Sequence, residues 1–269
     1  MSVDISIIIP TYRPTKFLHD CLLSVSKQTL CSEKYEIIIV LNGDNSKLYK
    51  DLIEREIAFF SSIRIIAIYT EVSGVSNARN LALDRAHGRY ICFIDDDDFI
   101  SDTYLEHMLL LVDCKSIVVS NVLTFKEENI QELLPDYITK AFLKFSPQKE
   151  LHNKLMAKSF FSSSCCKLIP MEIIGDRRFD VNFKIGEDSL FMALISDKVI
   201  KTVFADNMVI YYRRVRTTSA YHRRTSYWER LKSSLLISLS FASIYIKSPF
   251  KYNFLFFLNR VLAPFHKLI

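Results

Sequence analysis

Apolar residues follow two rhythms along this chain. Near-continuous apolar runs occupy residues 5–9, 35–41, 63–69 and 90–94. Runs of that length without alternation read as strands buried on both faces of a parallel sheet. Between them the apolar positions recur every three or four residues. Phe17, Cys21, Leu22 and Val25 share one helical face, residues 48–59 read as a second helix, and 103–112 as another. Ala78, Leu81, Ala82 and Ala86 line one side of a helix over 76–87, which Gly88 is expected to close as a left-handed terminator. Residues 116–125 are strand-like. Residues 126–151 contain Pro135 and Pro147, lack clean periodicity, and read as a variable loop with short helices. The small polar set Ser162–Ser163–Ser164 lines a pocket or simply begins a strand. Leu190, Phe191 and Leu194 resume helical spacing, which puts Glu187 and Asp188 at a helix N-terminus, and residues 199–212 contain further strand material.

Strands alternating with helices predict an open α/β sheet. Ligands of such sheets bind beyond the carboxyl ends of the strands. Three strand ends carry polar clusters: Pro10–Thr11–Tyr12, Asn42–Gly43–Asp44 and Asp95–Asp96–Asp97–Asp98. They should converge on one crevice. The last cluster organises the rest, because four consecutive carboxylates close a core strand. Like charges at the mouth of a buried strand repel and call for a cation. A hard divalent ion with oxygen ligands, completed by phosphate oxygens, is the simplest one, against a plain solvated acidic loop.

At 269 residues with 49% hydrophobic content, the chain buries an ample core. The net charge of +5 is unevenly placed. From Arg213 onward eleven basic residues face Glu229 alone, so the preceding part is net acidic. Arg213, Arg214 and Arg216 beside an acidic crevice suit a diphosphate, the alternative being a solvated basic loop. After residue 225 the chain changes character. Residues 234–246 and 252–265 are apolar, broken by Pro249 and flanked by Lys and Arg. Each is too short to span a bilayer, and the pattern suits helices lying on an anionic membrane, the alternative being helices packed on the domain itself. Two parts follow: residues 1–225, and a basic, apolar helical tail over 226–269. The basic charge accompanies aliphatic segments rather than an aromatic-studded stripe, which argues against nucleic acid. The six cysteines form no CxxC pair and read as small buried hydrophobes of a reducing compartment. The N-terminus shows no signal-peptide pattern.

Taken together, Ile7–Ile8–Ile9–Pro10–Thr11–Tyr12, Gly74–Val75–Ser76–Asn77–Ala78–Arg79–Asn80, the stretch from Gly88 to Asp98, and Gly186–Glu187–Asp188 resemble the family 2 glycosyltransferases of the GT-A fold. That resemblance implies a Rossmann-like open, mostly parallel sheet flanked by helices. It implies that Pro10, Thr11, Tyr12 and Arg79 border the nucleotide. Asn42 falls where the family usually has an aspartate that contacts the base, and an asparagine oxygen can still accept the N3–H of uracil. Asp95 and Asp97 match the Asp-x-Asp element, with Asp97 the direct ligand of Mn2+ or Mg2+ and Asp96 on the ribose. Asp188 matches the catalytic base. Glu187, Arg213 and Arg216 are candidate acceptor or diphosphate contacts.

The implied reaction is inverting, metal-dependent transfer of a hexosyl or N-acetylhexosaminyl group from a nucleotide donor, UDP by expectation. The Gln-x-x-Arg-Trp element of processive relatives is missing, since His222–Arg223–Arg224–Thr225–Ser226–Tyr227–Trp228 does not match it. One sugar per acceptor is therefore expected. The expected acceptor is a saccharide or a polyprenyl-diphosphate-linked saccharide at the cytoplasmic face of the cell membrane, in surface polysaccharide synthesis. Two alternatives carry less. A nucleotidyltransferase would want a glycine-rich phosphate loop after the first strand, where Pro10–Thr11–Tyr12–Arg13 has no glycine. A membrane-bound scaffold would have no need of the full acid set.

Overall fold

The computed structural model of the protein describes residues 3–216 and 226–267. Its centre is built from β1 (Ile5–Thr11), β2 (Tyr35–Asn42), β3 (Arg64–Thr70) and β4 (Tyr90–Phe93), all mutually parallel. Connecting them are α1 (Lys16–Ser26), α2 (Lys47–Phe59) and α3 (Val75–Leu83). The apolar runs fix this arrangement. Ile7, Ile8 and Ile9 of β1 and Ile37 to Leu41 of β2 are completely buried, so both faces of these strands are covered by helices.

The order then changes. After β4 come the two-residue β5 (Phe99–Ile100), α4 (Tyr104–Leu111), β6 (Ser116–Val119) and β7 (Asn121–Lys126). The stretch 116–125 is thus two strands rather than one, parted by Ser120 alone. Ser120 leaves the ladder to donate its N–H to Cys166 O at 3.1 Å. Residues 126–151, expected to be a variable loop with short helices, do hold the short helix α5 (Tyr137–Phe145), but also the strands β8 (Asn129–Pro135) and β9 (Glu150–Leu151). Every residue of β8 is exposed, so it has no apolar alternation to betray it. The chain continues through β10 (Lys167–Pro170), α6 (Met171–Ile174), α7 (Glu187–Ile195), β11 (Lys201–Phe204) and β12 (Ile210–Val215).

These strands make two sheets. One has eight strands in the order β3-β2-β1-β4-β10-β6-β11-β9, parallel except for antiparallel pairings of β10 and β9. The other has four, in the order β5-β12-β7-β8. β6 pairs with β11 in the large sheet, and their continuations β7 and β12 pair in the small one, both in parallel.

Three expectations are corrected. Helix α3 ends at Leu83, and Gly88 is not its left-handed terminator. Gly88 is required by close approach: a Cβ there would meet Ser6 N at 2.3 Å and the Ile5 carbonyl carbon at 2.7 Å. Cys21, Cys92, Cys165 and Cys166 are buried, but Cys31 and Cys114 are exposed thiols rather than core residues. Arg213 and Arg214 belong to β12 itself, not to a loop, so their side chains take opposite faces of the sheet.

The tail forms α8 (Tyr227–Lys247) and α9 (Phe254–Leu262). Ser226 and Glu229 close a capping box that starts α8. The expected boundary at 225/226 borders residues 217–225, which lie outside the described residues. Inner faces of both helices rest on the α/β unit. Tyr252 donates to Leu194 O of α7 at 2.9 Å. Buried Arg260 donates to Ser162 Oγ at 3.2 Å, to Ser189 Oγ at 3.3 Å and to Lys158 O at 2.6 Å. Among the described residues no helix is long and apolar enough to cross a membrane.

Candidate active site

The parallel strands β1, β2 and β4 end on one edge, and hydrogen bonds stitch those ends together. Asn42, last in β2, donates from Nδ2 to Thr11 O at 2.8 Å and accepts the Gly74 N–H on Oδ1 at 2.9 Å. Its carboxamide therefore ties the end of β1 to the residue that opens α3. Gly74 has φ +130°, a conformation closed to most side chains. Thr11 donates its hydroxyl to Asp96 Oδ2. Pro10 is buried within β1, while Tyr12 is 53% exposed at the rim of the turn.

The four carboxylates beyond β4 have separate environments. Asp98 turns inward and is almost wholly buried, accepting from Tyr211 Oη at 2.8 Å and from the Arg214 N–H at 2.8 Å. Burial pushes its carboxyl far above the ordinary range. The run thus divides into one structural acid and three that face the cleft. Asp96 is pushed up to about 7, chiefly by burial and further by Asp97 and Asp95, against the lowering bond from Thr11. Asp97 is raised by burial and by Asp95, and its Oδ2 meets Arg216 Nη1 at 3.1 Å. Arg214 also braces the run, donating from Nε to Asp97 O at 2.9 Å while its guanidinium lies 4.1 Å from the centre of the Phe17 ring.

Arg79 is the joint of the site. It projects from α3 with its side chain only 3% exposed. Nη1 reaches Asp188 Oδ1 at 2.7 Å and Glu187 Oε1 at 3.7 Å, and Nη2 reaches Asp95 Oδ1 at 3.0 Å. Burial opposes its charge, but Asp188 and Asp95 outweigh that and hold its pKa above the ordinary arginine value. Asp188 and Asp95 therefore flank a single guanidinium, which brings the head of α7 to the end of β4. Gly186 precedes the pair in the left-handed region at φ +86° and starts α7, so both acids occupy its first turn. Ser164 donates to Asp188 Oδ1 at 2.7 Å. Glu187 is pushed up to about 7 by burial and by Asp188.

Not every expected contact is made. Arg213 turns away from the acidic run to Asp136 Oδ2 at 2.6 Å, at the N-cap of α5. Sequence reasoning did not single out Tyr211, took Arg214 only as one of a run of arginines suited to a diphosphate, and treated Ser164 only as one of a polar trio. The first two lie in a short strand whose partners cannot be read locally. The spacing of Ser162–Ser164 was the one available signal for the third. Among the described residues no three His, Cys, Asp or Glu side chains converge as a ready-made metal cluster. Asp95 and Asp97 do supply hard oxygen donors, and the mutual repulsion recorded at Asp97 favours a cation there, so the residues fit an ion that takes its remaining ligands from a diphosphate.

The profile of Glycosyl transferase family 2 matches residues 6–178, which include β1, the Asn42 turn, Arg79 and the acidic run. The chain belongs to that family. Glycosyltransferase GlyA of Streptococcus pneumoniae is 30% identical over 237 residues, 83% of this chain and 32% of its own length. An Escherichia coli relative, the UDP-Glc:alpha-D-GlcNAc-diphosphoundecaprenol beta-1,3-glucosyltransferase WfgD, is 28% identical over 74% of this chain and 72% of its own. The chain spans about a third or less of the first curated relatives it matches. Among solved structures, Staphylococcus aureus TarS 1–349 in complex with UDP-GlcNAc superposes with a TM-score of 0.72 at 19% identity, covering 97% of this chain and 73% of that one. That likeness establishes the GT-A fold expected of a family 2 member.

Proposed function

We propose that this family 2 domain transfers one hexosyl or N-acetylhexosaminyl group, with inversion, from a UDP-sugar to a saccharide or polyprenyl-diphosphate-linked saccharide. The setting is surface polysaccharide synthesis, with the protein peripheral on the inner face of the cell membrane. The observation that carries this is the single buried arginine joining Asp95, on the donor side, to Asp188, at the head of α7. A donor acid and an acceptor-side acid held in one cleft are what a displacement at an anomeric carbon requires.

Asp188 is the base, within hydrogen-bond reach of the acceptor hydroxyl whose proton it takes as that oxygen attacks. Ser164 and Arg79 fix its Oδ1, which leaves Oδ2 to face the acceptor. Attack comes from the side opposite the diphosphate. Asp97 and Asp95 would hold Mn2+ or Mg2+, which when bound supplies neutralisation of the diphosphate leaving group. Asp96 meets the ribose. Pro10, Thr11 and Tyr12 border the nucleotide, and the second lone pair of Asn42 Oδ1 accepts the N3–H of uracil. Arg216 sits beside Asp97 where a diphosphate would lie, whereas Arg213 serves the acceptor side through Asp136. The names of WfgD and of TarS, a poly(ribitol-phosphate) beta-N-acetylglucosaminyltransferase, support a UDP donor and a lipid-linked or polymeric acceptor.

The test is Asp188→Asn. Turnover of UDP-sugar into product should vanish while UDP binding, read by calorimetry, stays within a few-fold of the unaltered protein. Retained turnover would remove Asp188 from the role of base.

A further inference from the structure

The tail raises a question that packing leaves open. Helix α8 buries Ser238 and Phe241 against the protein, yet Trp228, Leu235, Leu239 and Ile246 recur at helical spacing on its outer side, all exposed. That polarity is the reverse of a surface helix of a soluble domain. The reversal is sharpest at the elbow between α8 and α9. There Ile246, Phe250, Phe254 and Leu255 point outward, and the Phe250 side chain is wholly exposed. Lys247 and Lys251 directly follow two of these apolar residues and are exposed as well.

We propose that this elbow docks on an anionic lipid bilayer, with the four apolar side chains entering the headgroup region and Lys247 and Lys251 meeting lipid phosphates. Charge complementarity selects this occupant. Apolar residues beside lysines are the pattern of an interfacial anchor. A second copy of the chain seated on the same elbow would set Lys247 and Lys251 against their own like. The elbow is also fastened to the helix of the base, through Tyr252 to Leu194 O and Arg260 to Ser189. Docking here therefore sets the lipid surface against the unit that carries α7, whose first turn holds the proposed base for a lipid-linked acceptor. That last clause rests on the lipid-linked acceptor proposed above, and the docking rests on the membrane placement proposed there but not on the transfer reaction.

Vesicle co-sedimentation of the full chain tests it, comparing phosphatidylcholine vesicles with vesicles holding about one third phosphatidylglycerol. Binding is expected to the anionic vesicles and not to the neutral ones, and to weaken with salt. Lys247→Gln with Lys251→Gln should weaken it about 25-fold, at about fivefold per lysine. Phe250→Glu should abolish it. Calorimetric UDP binding by each variant, read alongside, reports that the fold is intact. Equal binding to both vesicle types, or unchanged binding by the variants, would overturn the proposal. So would sedimentation velocity showing a dimer that Phe250→Glu dissociates. Vesicle binding by a protein that turns over no UDP-sugar would leave the docking standing and remove the proposed transfer.

Discussion

Replacing Arg79 by methionine removes the one cation that, among the described residues, Asp188, Asp95 and Glu187 share. Methionine keeps the length and most of the volume, so packing against Phe93 and Phe179 changes little. The electrostatic loss can be sized from exposure. Breaking a fully buried pair costs about 3–5 kcal/mol, because the surviving charge stays uncompensated. Here the side chain of Asp95 is 43% exposed, so water screens most of its loss. Asp188, at 21%, retains the Ser164 hydroxyl, and Glu187, at 13%, is the worst placed. The expected loss of unfolding free energy at neutral pH is about 2–3 kcal/mol, a fall in Tm of about 5–10 °C for a chain of this size. Urea denaturation measures it, and a double-mutant cycle with Asp188→Asn isolates the pair. Neutralising Asp188 in the Arg79→Met background should cost at least about 1 kcal/mol less than in the unaltered protein. The same replacement should lower kcat/KM at least about hundredfold, since Asp188, the base proposed above, is no longer held in position. Additivity within about 0.5 kcal/mol, together with near-normal activity, would refute the view that Arg79 joins the two halves of the site.

Tyr211→Phe leaves a buried oxygen of Asp98 without its donor, and should cost about 1.5–3 kcal/mol by chemical denaturation; an unchanged midpoint would show that the inner acid needs no partner. The pH dependence of the ligand-free protein follows from Asp96 and Glu187, both pushed up to about 7 from the ordinary carboxylate range near 4, chiefly by burial. Between those limits the native state binds more protons than the unfolded chain, so stability present below about pH 4 is lost as pH rises through about 7. Tm should therefore fall between about pH 5 and pH 8, and Asp96→Asn should flatten that fall; an unaltered slope in the variant would exclude Asp96 as its source.

The order of elements as far as β4 was legible because each of its strands is a near-continuous apolar run; β1, β2 and β4 are buried on both faces as that implies, whereas β3, at the sheet edge, is only partly buried. The site was legible where acids end such a run or open a helix, as at Asp95–Asp97 and Glu187–Asp188. Legibility failed where a residue acts through distant partners. Nothing local marks Asp98 as different from its three neighbours; its inward turn depends on Tyr211 and the Arg214 N–H, more than a hundred residues away. Arg213 and Arg214 look alike in sequence, and strand alternation sends one to Asp136 and the other to the acidic run. Gly88 reads as a helix stop from composition alone. Only the course of β1 beside it reveals that the space, not the backbone angle, excludes a side chain.

The passage of β6 into β7 across Ser120, matched by the passage of β11 into β12, has a mechanical consequence. Two neighbouring ribbons cross together from the large sheet into the small one, so the sheets are joined by two paired chain crossings instead of a single linker. A substitution at Ser120 disturbs one crossing and leaves the other, from β11 into β12, in place.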